Sequence, residues 1–303
     1  MASARQRVQH AAPGAPVAPG NREAVEAWDG VLFERFCAYR DVVVGGLAPH
    51  GDLAMELHPP RIGARVLDVG CGFGDTTRQL AALVGSKGEA VGVDASARFI
   101  DTARAEASAT GVDNVSFVVG DVQELALDGP FDHVFSRFGT MFFANPVVAL
   151  RNVRAAMAPG AKLCMVVWRR KLDNTWVHDA ELVAKRYLTH PDETDEPTCG
   201  PGPFSMADAD TTADVLVHAG FQSIGFRRAD IPIWLGPDVA AAVEFVMALG
   251  PAGELVRLNG DAAEPYRKRI EAEIAEAMGS YAGPDGVLAP ASSWIVTAVE
   301  PPD

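Results

Sequence analysis

Residues 66–77 read Val-Leu-Asp-Val-Gly-Cys-Gly-Phe-Gly-Asp-Thr-Thr. A short apolar segment at 65–67 precedes three glycines at alternate positions, Gly70, Gly72 and Gly74, and a segment of helical composition follows them. Glycine adopts positive φ and lets a ligand approach the main chain closely, and the free N–H groups of a first helical turn are hydrogen-bond donors. The stretch therefore predicts a strand, a tight turn and a helix N-terminus that together bind a nucleotide.

The residues around this turn narrow the choice of nucleotide. A dinucleotide fingerprint requires G-x-G-x-x-G, but Asp75 stands where the third glycine belongs, and its charge would repel a pyrophosphate. A phosphate-binding P-loop is excluded because no Lys followed by Ser or Thr closes the turn. Asp68, just before the turn, is placed to meet a cationic amino group. A glycine-rich turn without any ligand is the alternative interpretation.

The pattern Asp-x-Gly-x-Gly-x-Gly, from Asp68 to Gly74, resembles motif I of the class I S-adenosylmethionine-dependent methyltransferases, without departure from it. The resemblance implies S-adenosyl-L-methionine as the cofactor. It also implies an α/β, Rossmann-like fold, with a seven-stranded sheet whose last strand is antiparallel, helices on both faces, an N-terminal helical cover and helical lid insertions. The residues that it assigns to the cofactor in this stretch are Asp68, Gly70, Cys71, Gly72, Gly74, Thr76 and Thr77.

A second acidic residue follows the next predicted strand. Residues 90–94 form an apolar run that ends in Asp94, and an acid about 20 positions after a glycine-rich turn is placed to accept hydrogen bonds from both ribose hydroxyls. Asp94 and the adjacent Ala95 are therefore predicted to bind the cofactor. The alternative is that Asp94 only caps the following helix, a role that Ser96 could take instead.

A third acid follows the strand predicted at 115–119. The resemblance implies that Asp121 accepts a hydrogen bond from the adenine amino group and that the backbone N–H of Val122 meets a ring nitrogen. A neutral adenine offers an N–H donor, so a carboxylate is chemically suitable there. Asp121 could otherwise begin a turn or a short helix.

Residues 131–139 read Phe-Asp-His-Val-Phe-Ser-Arg-Phe-Gly and predict a fourth strand with its exit. The phrase Ser-Arg-Phe-Gly-x-Met-Phe-Phe is similar to that of many bacterial small-molecule methyltransferases of the ubiquinone-biosynthesis-like group. In an open α/β sheet the ligand lies beyond the carboxyl ends of the strands, so residues 136–142 should face the methyl group and the acceptor. The predicted cofactor contacts are Ser136, Arg137 and Phe138, and the predicted acceptor contacts are Arg137, Met141 and Phe142.

The composition bounds the class of function. A chain of 303 residues suffices for one large α/β domain, predicted at 21–303, and no apolar run approaches the roughly 20 residues that span a bilayer. Lys and Arg number 26 against 40 Asp and Glu, a net charge of −14 that argues against nucleic acid as a partner. We expect a small-molecule methyl acceptor as the partner, and neither nucleic acid nor a membrane.

Residues 1–20 are rich in Ala, Pro and Gly and predict a disordered tail, because no apolar segment follows Arg5 and Arg7 as it would in a signal peptide. The four cysteines lack the close spacing of a zinc or iron–sulfur site. They are Cys37, Cys71, Cys164 and Cys199. We expect reduced thiols in a cytoplasmic protein, and no metal.

An apolar stripe at three- and four-residue steps predicts helices within residues 21–60. Its members are Val25, Trp28, Leu32, Phe36 and Tyr39. Such a stripe ordinarily packs a helix onto its domain. In addition, Trp28 and Tyr39 are candidates for contact with the acceptor.

Two long segments, residues 169–204 and 232–291, exceed the short connections that a plain Rossmann-like sheet needs. We expect them to form helical lid insertions over the acceptor, with Trp176 as one of the contacts, since insertions on a fixed scaffold carry specificity. The alternative is that these helices form a homodimer interface or cover the sheet edge.

Methyl transfer is an in-line displacement, so a base is needed only if the acceptor loses a proton. Histidine suits that role, and His178 is the candidate, with His133 and Tyr187 behind it; a histidine on a surface helix is otherwise simply solvated. The leading hypothesis is an enzyme that methylates O, N or C of a small molecule, with secondary metabolism as one setting. The alternatives are a non-catalytic S-adenosylmethionine-binding module and an oxidoreductase with a degenerate dinucleotide turn.

Overall fold

The computed structural model describes residues 17–189 and 202–302. The predicted disordered tail therefore lies outside the described residues as far as residue 16, and Cys199 also lies outside them. A short 3-10 helix, Pro19–Asn21, is packed against the domain, and the backbone N–H of Ala18 donates to the buried carboxylate of Asp121. Residues 18–20, which the sequence assigns to the tail, thus belong to the folded domain. The N–H of Ala18 supplies one of the donors that a buried carboxylate requires.

A mixed sheet lies at the centre of the described domain. The described strands are β1 (Arg65–Val69), β2 (Glu89–Asp94), β3 (Val115–Val119), β4 (Phe131–Arg137), β5 (Met157–Trp168), β6 (Gln222–Asp230), β7 (Ile233–Gly236), β8 (Ala282–Gly283), β9 (Gly286–Ala289) and β10 (Ser292–Val299). The central sheet has the order β3-β2-β1-β4-β5-β10-β6 within the described residues. Strands β1 to β5 pair in parallel, whereas β10 is antiparallel to β5 and β6. This confirms the predicted Rossmann-like sheet.

The strands form where apolar runs are buried on both faces, as is typical of parallel sheets covered by helices. In β1, the side chains of Val66, Leu67 and Val69 are at most 2% exposed. Asp68 interrupts this run and is 1% exposed. A carboxylate so deeply buried requires compensating partners, which marks this strand end as unusual.

Helices cover the sheet and extend the domain. The described helices are α1 (Arg22–Asp29), α2 (Val31–Ala38), α3 (Ala48–Leu57), α4 (Asp75–Val84), α5 (Ala97–Thr110), α6 (Pro146–Ala155), α7 (Thr175–Ala184), α8 (Ala209–Ala219), α9 (Val239–Leu249), α10 (Pro251–Asn259) and α11 (Glu264–Gly279). The predicted N-terminal stripe is divided between α1 and α2, because the backbone leaves helical geometry at Gly30. A π-helical segment, Asp41–Gly46, then leads to α3.

The second insertion is more complex than its sequence pattern predicts. Strands β6 and β7 are separate, and Pro232, which cannot donate to a ladder, lies between them. Strands β7, β9 and β8 form a separate small sheet beside the helices α9, α10 and α11 of this insertion. The insertion packs against the N-terminal cover, since a Cβ at Gly46 would lie 2.5 Å from the carbonyl oxygen of Trp234.

No single helix within the described residues is both long and apolar enough to cross a membrane. Helix α9 and the helical stretch Pro251–Gly279 reach that length and apolarity only as a pair, bent by 61°.

The strand order reverses at β1, which has β2 on one side and β4 on the other. Ligands of open α/β sheets bind at such a switch point, beyond the carboxyl ends of the strands. The loops that leave β1 and β4 touch there, because a Cβ at Gly70 would lie 2.9 Å from the Cα of Gly139. Gly70 also has a φ of 69°, so no larger residue fits this crossing easily.

Candidate cofactor and acceptor site

A cavity of about 350 Å³ opens at the carboxyl ends of β1, β2 and β4. The motif turn, the N-terminal helices and both insertions contribute to its walls. The predicted site residues that line it are Asp68, Gly70, Cys71, Gly72, Thr76, Asp94, Ala95, Asp121, Val122, Arg137, Phe138, Met141, Phe142, Trp176 and Trp28. Most of the residues assigned to one site by the sequence are therefore adjacent in the fold.

Three predicted cofactor contacts shape the turn and do not line this cavity. Gly74 has a φ of 71° and precedes α4, and a Cβ there would lie 2.6 Å from the ring of Phe117. The hydroxyl of Thr77 donates to Asp68 over 2.6 Å. The hydroxyl of Ser136 donates to the carbonyl oxygen of Val69 over 2.7 Å and so joins β4 to β1.

The Asp68 carboxyl is the most deeply buried acid of the site. Only its Oδ2 has a partner, the Thr77 hydroxyl, while its Oδ1 is buried without a hydrogen bond within the described residues. The pKa of Asp68 is raised to about 7, chiefly by burial and to a smaller extent by the nearby Asp75, while Thr77 and Arg137 oppose the shift. A ligand that brings a cationic donor would satisfy Oδ1 and favour the ionised form.

The Asp68→Asn variant tests this burial through the pH dependence of stability. Because the pKa of Asp68 is higher in the folded protein than in the unfolded chain, the protonated carboxyl stabilises the fold at low pH, and this contribution is lost as pH rises from 3.8 to about 7. The variant stays neutral, so its free energy of unfolding should exceed that of the wild type by about 2 to 4 kcal/mol at about pH 8.

Urea unfolding at about pH 4, 6 and 8 measures this difference, with the exposed residue changed in Asp210→Asn as the control. The advantage of Asp68→Asn should grow with pH, whereas the control should not show this growth. An advantage that is constant over the range would contradict the assignment.

Asp94 organises the turn from the end of β2. Its Oδ2 accepts the backbone N–H of Gly72 and its Oδ1 accepts the backbone N–H of Ser96, each over 3.0 Å. The cap of α5 is Ser96, whose hydroxyl accepts the N–H of Phe99 over 3.4 Å, so Asp94 is not the helix cap. Burial raises the pKa of Asp94, and the two backbone N–H groups oppose that shift.

Asp121 was expected to accept a hydrogen bond from adenine, but groups of the protein itself already donate to both of its carboxylate oxygens. Its Oδ2 accepts the backbone N–H of Ala18 over 3.2 Å and the side-chain amide of Asn21 over 3.0 Å. Its Oδ1 accepts the backbone N–H of Gln123 over 3.0 Å, and the Gln123 amide contacts both oxygens. A carboxylate has about four lone-pair sites, so these donors leave Asp121 saturated.

Arg137 forms an ion pair inside the site. Its Nη2 lies 2.6 Å from Oδ2 of Asp75, and the two side chains are 11% and 22% exposed. The stem of Arg137 packs on α3, where a Cβ at Gly51 would lie 2.9 Å from Cδ. Arg137 was predicted to face the acceptor, and it does line the cavity, but its charge is balanced by Asp75. The pair therefore offers no free cation to an anionic acceptor.

The exit of β4 is held in an unusual conformation. Phe138 has a φ of 58°, a left-handed value that is uncommon for a bulky residue and is often found at functional sites. Its ring stacks on Trp168 with centroids 4.2 Å apart, and the ring of His50 meets both edgewise. Packing thus holds Phe138 against the cavity.

Aromatic side chains form a large part of the cavity wall. The rings of Trp28 and Phe142 meet edgewise at 4.9 Å, and those of Trp176 and Phe245 stack at 5.9 Å. The indole N–H of Trp176 is buried without a hydrogen bond within the described residues. Tyr39, a predicted acceptor contact, does not line the cavity; its ring packs against Phe245 from behind.

Known proteins resemble this chain in sequence. A family profile described as a methyltransferase domain matches residues 61–205. The ubiquinone/menaquinone biosynthesis C-methyltransferase UbiE of Pseudomonas aeruginosa is 36% identical over 122 residues, 40% of this chain and 48% of that protein. The UbiE of Ectopseudomonas mendocina is 29% identical over 198 residues, 62% of this chain and 77% of that protein. The match to the Pseudomonas aeruginosa protein thus spans about half of its length.

The fold has solved counterparts. The YcgJ protein of Bacillus subtilis superposes with a TM-score of 0.54 at 15% identity, over 84% of this chain and all of that protein. Residues 61–205 thus match a methyltransferase domain, and the chain is similar in sequence to C-methyltransferases of ubiquinone and menaquinone biosynthesis. The resemblance seen in the motif residues is thereby confirmed.

The three side chains predicted as candidate bases lie away from the cavity. His178 follows Trp176 and Val177 on α7, but each helical residue is turned by about 100° from the last, so His178 is half-buried on another face. His133 lies in the middle of β4, where burial lowers its pKa to about 4. The Tyr187 hydroxyl donates to Glu273 outside the cavity. The structure therefore does not support any of them as the base.

Several residues of this site were not predicted. They include Asn21, Asp75, Gln123, Trp168, Phe204 and Phe245. In the sequence, Asn21 carries only the signal of a helix start, and Asp75 shows only a charge that repels phosphate. Their roles depend on partners far away in the chain. Within residues 17–189 and 202–302, no cluster of three or more His, Cys, Asp or Glu side chains is placed to hold a metal ion.

Proposed function

We propose that this protein transfers the methyl group of S-adenosylmethionine to a small, largely apolar acceptor. One observation supports this most strongly: the glycine turn, the carboxylate of Asp94 and an aromatic wall from both insertions meet in one cavity. The glycine turn and its acids suit the cofactor, and the aromatic wall suits a second molecule beside it. The family of the chain agrees with the reaction type.

The residues present fit the cofactor. The Oδ1 atoms of Asp68 and Asn21 are buried acceptors without donors in the described structure, and the cofactor carries amino groups that could supply them. The backbone at Gly72 is open, because a Cβ there would have only Phe99 within 4 Å, at 3.9 Å. We propose that Asp68 holds the amino end and Asp94 the ribose. S-adenosylmethionine, when bound, supplies a methyl group on a sulfonium centre that is ready for displacement.

The contribution of the chain is to position the acceptor and exclude water. A displacement of this kind is accelerated mainly by orienting the acceptor toward the methyl group and by excluding water from the site. None of the described residues that line the cavity is a histidine. The aromatic wall, with Trp28, Phe142 and Trp176, is therefore proposed to hold the acceptor, without a dedicated histidine base.

The neutral ion pair of Arg137 and Asp75 and the apolar wall together favour an uncharged acceptor. The relatives from Pseudomonas aeruginosa and Ectopseudomonas mendocina are named as C-methyltransferases. A ring carbon is therefore the first acceptor atom to test, while oxygen and nitrogen stay open. A cytoplasmic location is part of the proposal, and the unpaired state of Cys37, Cys71 and Cys164 is compatible with it.

Transfer of a labelled methyl group to a panel of apolar phenols, quinols and amines tests the proposal. We expect incorporation into at least one uncharged acceptor and release of S-adenosylhomocysteine. Binding of S-adenosylhomocysteine without transfer to any acceptor would favour a non-catalytic binding module instead. Binding of a nicotinamide dinucleotide in its place would favour the oxidoreductase.

Asp94→Ala should weaken binding of S-adenosylhomocysteine by about 1.5 to 3 kcal/mol, because hydrogen bonds to a charged acceptor are lost. The variant also removes the acceptor that fixes the N–H of Gly72. Isothermal titration calorimetry measures the change. Asp101→Ala, which removes an exposed acid from α5, is the matched control and should bind as the wild type does. Unchanged affinity in Asp94→Ala would remove Asp94 from the site.

A further inference from the structure

Both oxygens of Asp121 already accept hydrogen bonds from the protein, so the amino group of adenine needs a different acceptor. Two of the four donors on Asp121 come from residues 18–21, a segment about 100 positions away in the sequence. The acceptor left over next to it is Oδ1 of Asn21, which is buried and has no hydrogen bond within the described residues. Asn21 is 7% exposed and lines the cavity together with Asp121 and Val122.

The orientation of the Asn21 amide is fixed by charge. Its Nδ2 donates to Oδ2 of Asp121 over 3.0 Å. Rotation of the amide by half a turn would bring Oδ1 against the carboxylate, where two acceptors repel each other. Asp121 therefore holds Asn21 with its oxygen available, and the turn from Ala18 to Asn21, closed by a 2.8 Å backbone hydrogen bond, supports this position.

We propose that Asn21 determines the specificity for the base of the cofactor, with Oδ1 accepting a hydrogen bond from the exocyclic amino group of adenine. Asp121 is then a positioning residue that acts through Asn21. This inference rests on the proposed function. An amide oxygen accepts from an amino group but repels the oxygen that hypoxanthine carries at the same position, so the site should reject a deaminated cofactor.

The test compares two ligands, S-adenosylhomocysteine and S-inosylhomocysteine, by calorimetry on the full chain. The wild type should prefer the adenosyl compound about tenfold or more, as expected when a buried hydrogen bond is replaced by two facing acceptors. Asn21→Leu should bind the adenosyl compound more weakly than the wild type does, whereas its affinity for the inosyl compound should change little. The ratio of the two affinities should therefore fall. Asn21→Ser, which keeps a residue suited to a helix start, is a second variant with the same expected narrowing.

Asn259→Leu is the control, since it removes another asparagine whose amide donates to the chain away from the cavity. It should keep both the affinity and the preference of the wild type. A preference that survives intact in Asn21→Leu and Asn21→Ser would overturn the inference. A wild type that binds neither compound would contradict the proposed function itself and not the role of Asn21.

The positioning role of Asp121 is tested by measuring both affinities in the Asp121→Asn variant. In Asp121→Asn an amide faces an amide, so the Asn21 side chain can rotate and present either its oxygen or its nitrogen to the base. We expect affinity for the inosyl compound to rise toward that for the adenosyl compound. If Asp121→Asn lowers both affinities equally, Asp121 supports the segment without orienting Asn21, and the positioning role is wrong.

Discussion

Gly72→Val is expected to bind S-adenosylhomocysteine at least about a hundredfold more weakly than the wild type while remaining folded. Gly72 lines the cavity, and a Cβ there has only one neighbour within 4 Å, Phe99 at 3.9 Å. The domain therefore has room for a Cβ at this position, but the side chain would occupy space that the bound ligand needs. The backbone approach that the glycine permits is what the variant removes. Calorimetry of the purified variant measures the loss.

The φ of 52° at Gly72 means that valine also strains the backbone, and a control must share that strain. Gly111→Val provides it, because Gly111 ends α5 with a φ of 67° and a Cβ there meets no atom within 4 Å. Both variants should lose about 1 to 2 kcal/mol of stability or somewhat more. Only Gly72→Val should lose the ligand. Wild-type affinity in a folded Gly72→Val protein would contradict the assignment of the turn.

Trp176→Ala is expected to lower kcat/KM for the acceptor about a hundredfold while leaving the affinity for S-adenosylhomocysteine unchanged. Trp176 reaches the cavity from α7, on the first insertion, and stacks on Phe245 of the second insertion at 5.9 Å. Its removal takes away both apolar contact and a buried indole N–H that has no partner within the described residues. Steady-state kinetics with a transferred label, together with calorimetry, separates the two effects.

Leu182→Ala is the matched control, because Leu182 lies on the same helix but is 46% exposed. Trp176→Phe adds a finer comparison, since it keeps a ring against Phe245 and removes only the N–H and part of the surface. Its kcat/KM should lie between the wild type and Trp176→Ala. A fall in cofactor affinity equal to the fall in kcat/KM would show that Trp176 does not belong to an acceptor site.

Hydrogen exchange in the same helices distinguishes a lid from a subunit contact. If the insertions close over the acceptor, exchange in α7 and α9 should slow when S-adenosylhomocysteine and acceptor are added together. Protection that is complete in the free protein and depends on its concentration would identify these helices as a homodimer interface. The acceptor would then have to be sought among the N-terminal helices.

Local sequence was sufficient to predict the glycine turn and the acidic residues at the ends of the first strands. Asp68 and Gly72 are fixed by one strand-turn-helix segment, and Asp94 by the end of the next strand, so their positions depend on neighbours in the chain and on the parallel sheet rule. The sheet with its antiparallel last strand, which the family resemblance implies, is confirmed, and buried apolar runs form its strands. The cofactor roles of these residues stay predictions until the variants are measured.

Only the tertiary structure decided which side chains form ion pairs and which accept hydrogen bonds from distant parts of the chain. Asp75 meets Arg137 from 62 positions away, and Asn21 meets Asp121 from 100 positions away. His178 is turned out of the cavity by the packing of α7, although its helix was predicted. Sequence patterns report periodicity and composition within a segment, whereas these pairings depend on where two distant segments are packed. A buried carboxylate recruits whichever donors the fold brings near, because leaving it without them costs several kcal/mol.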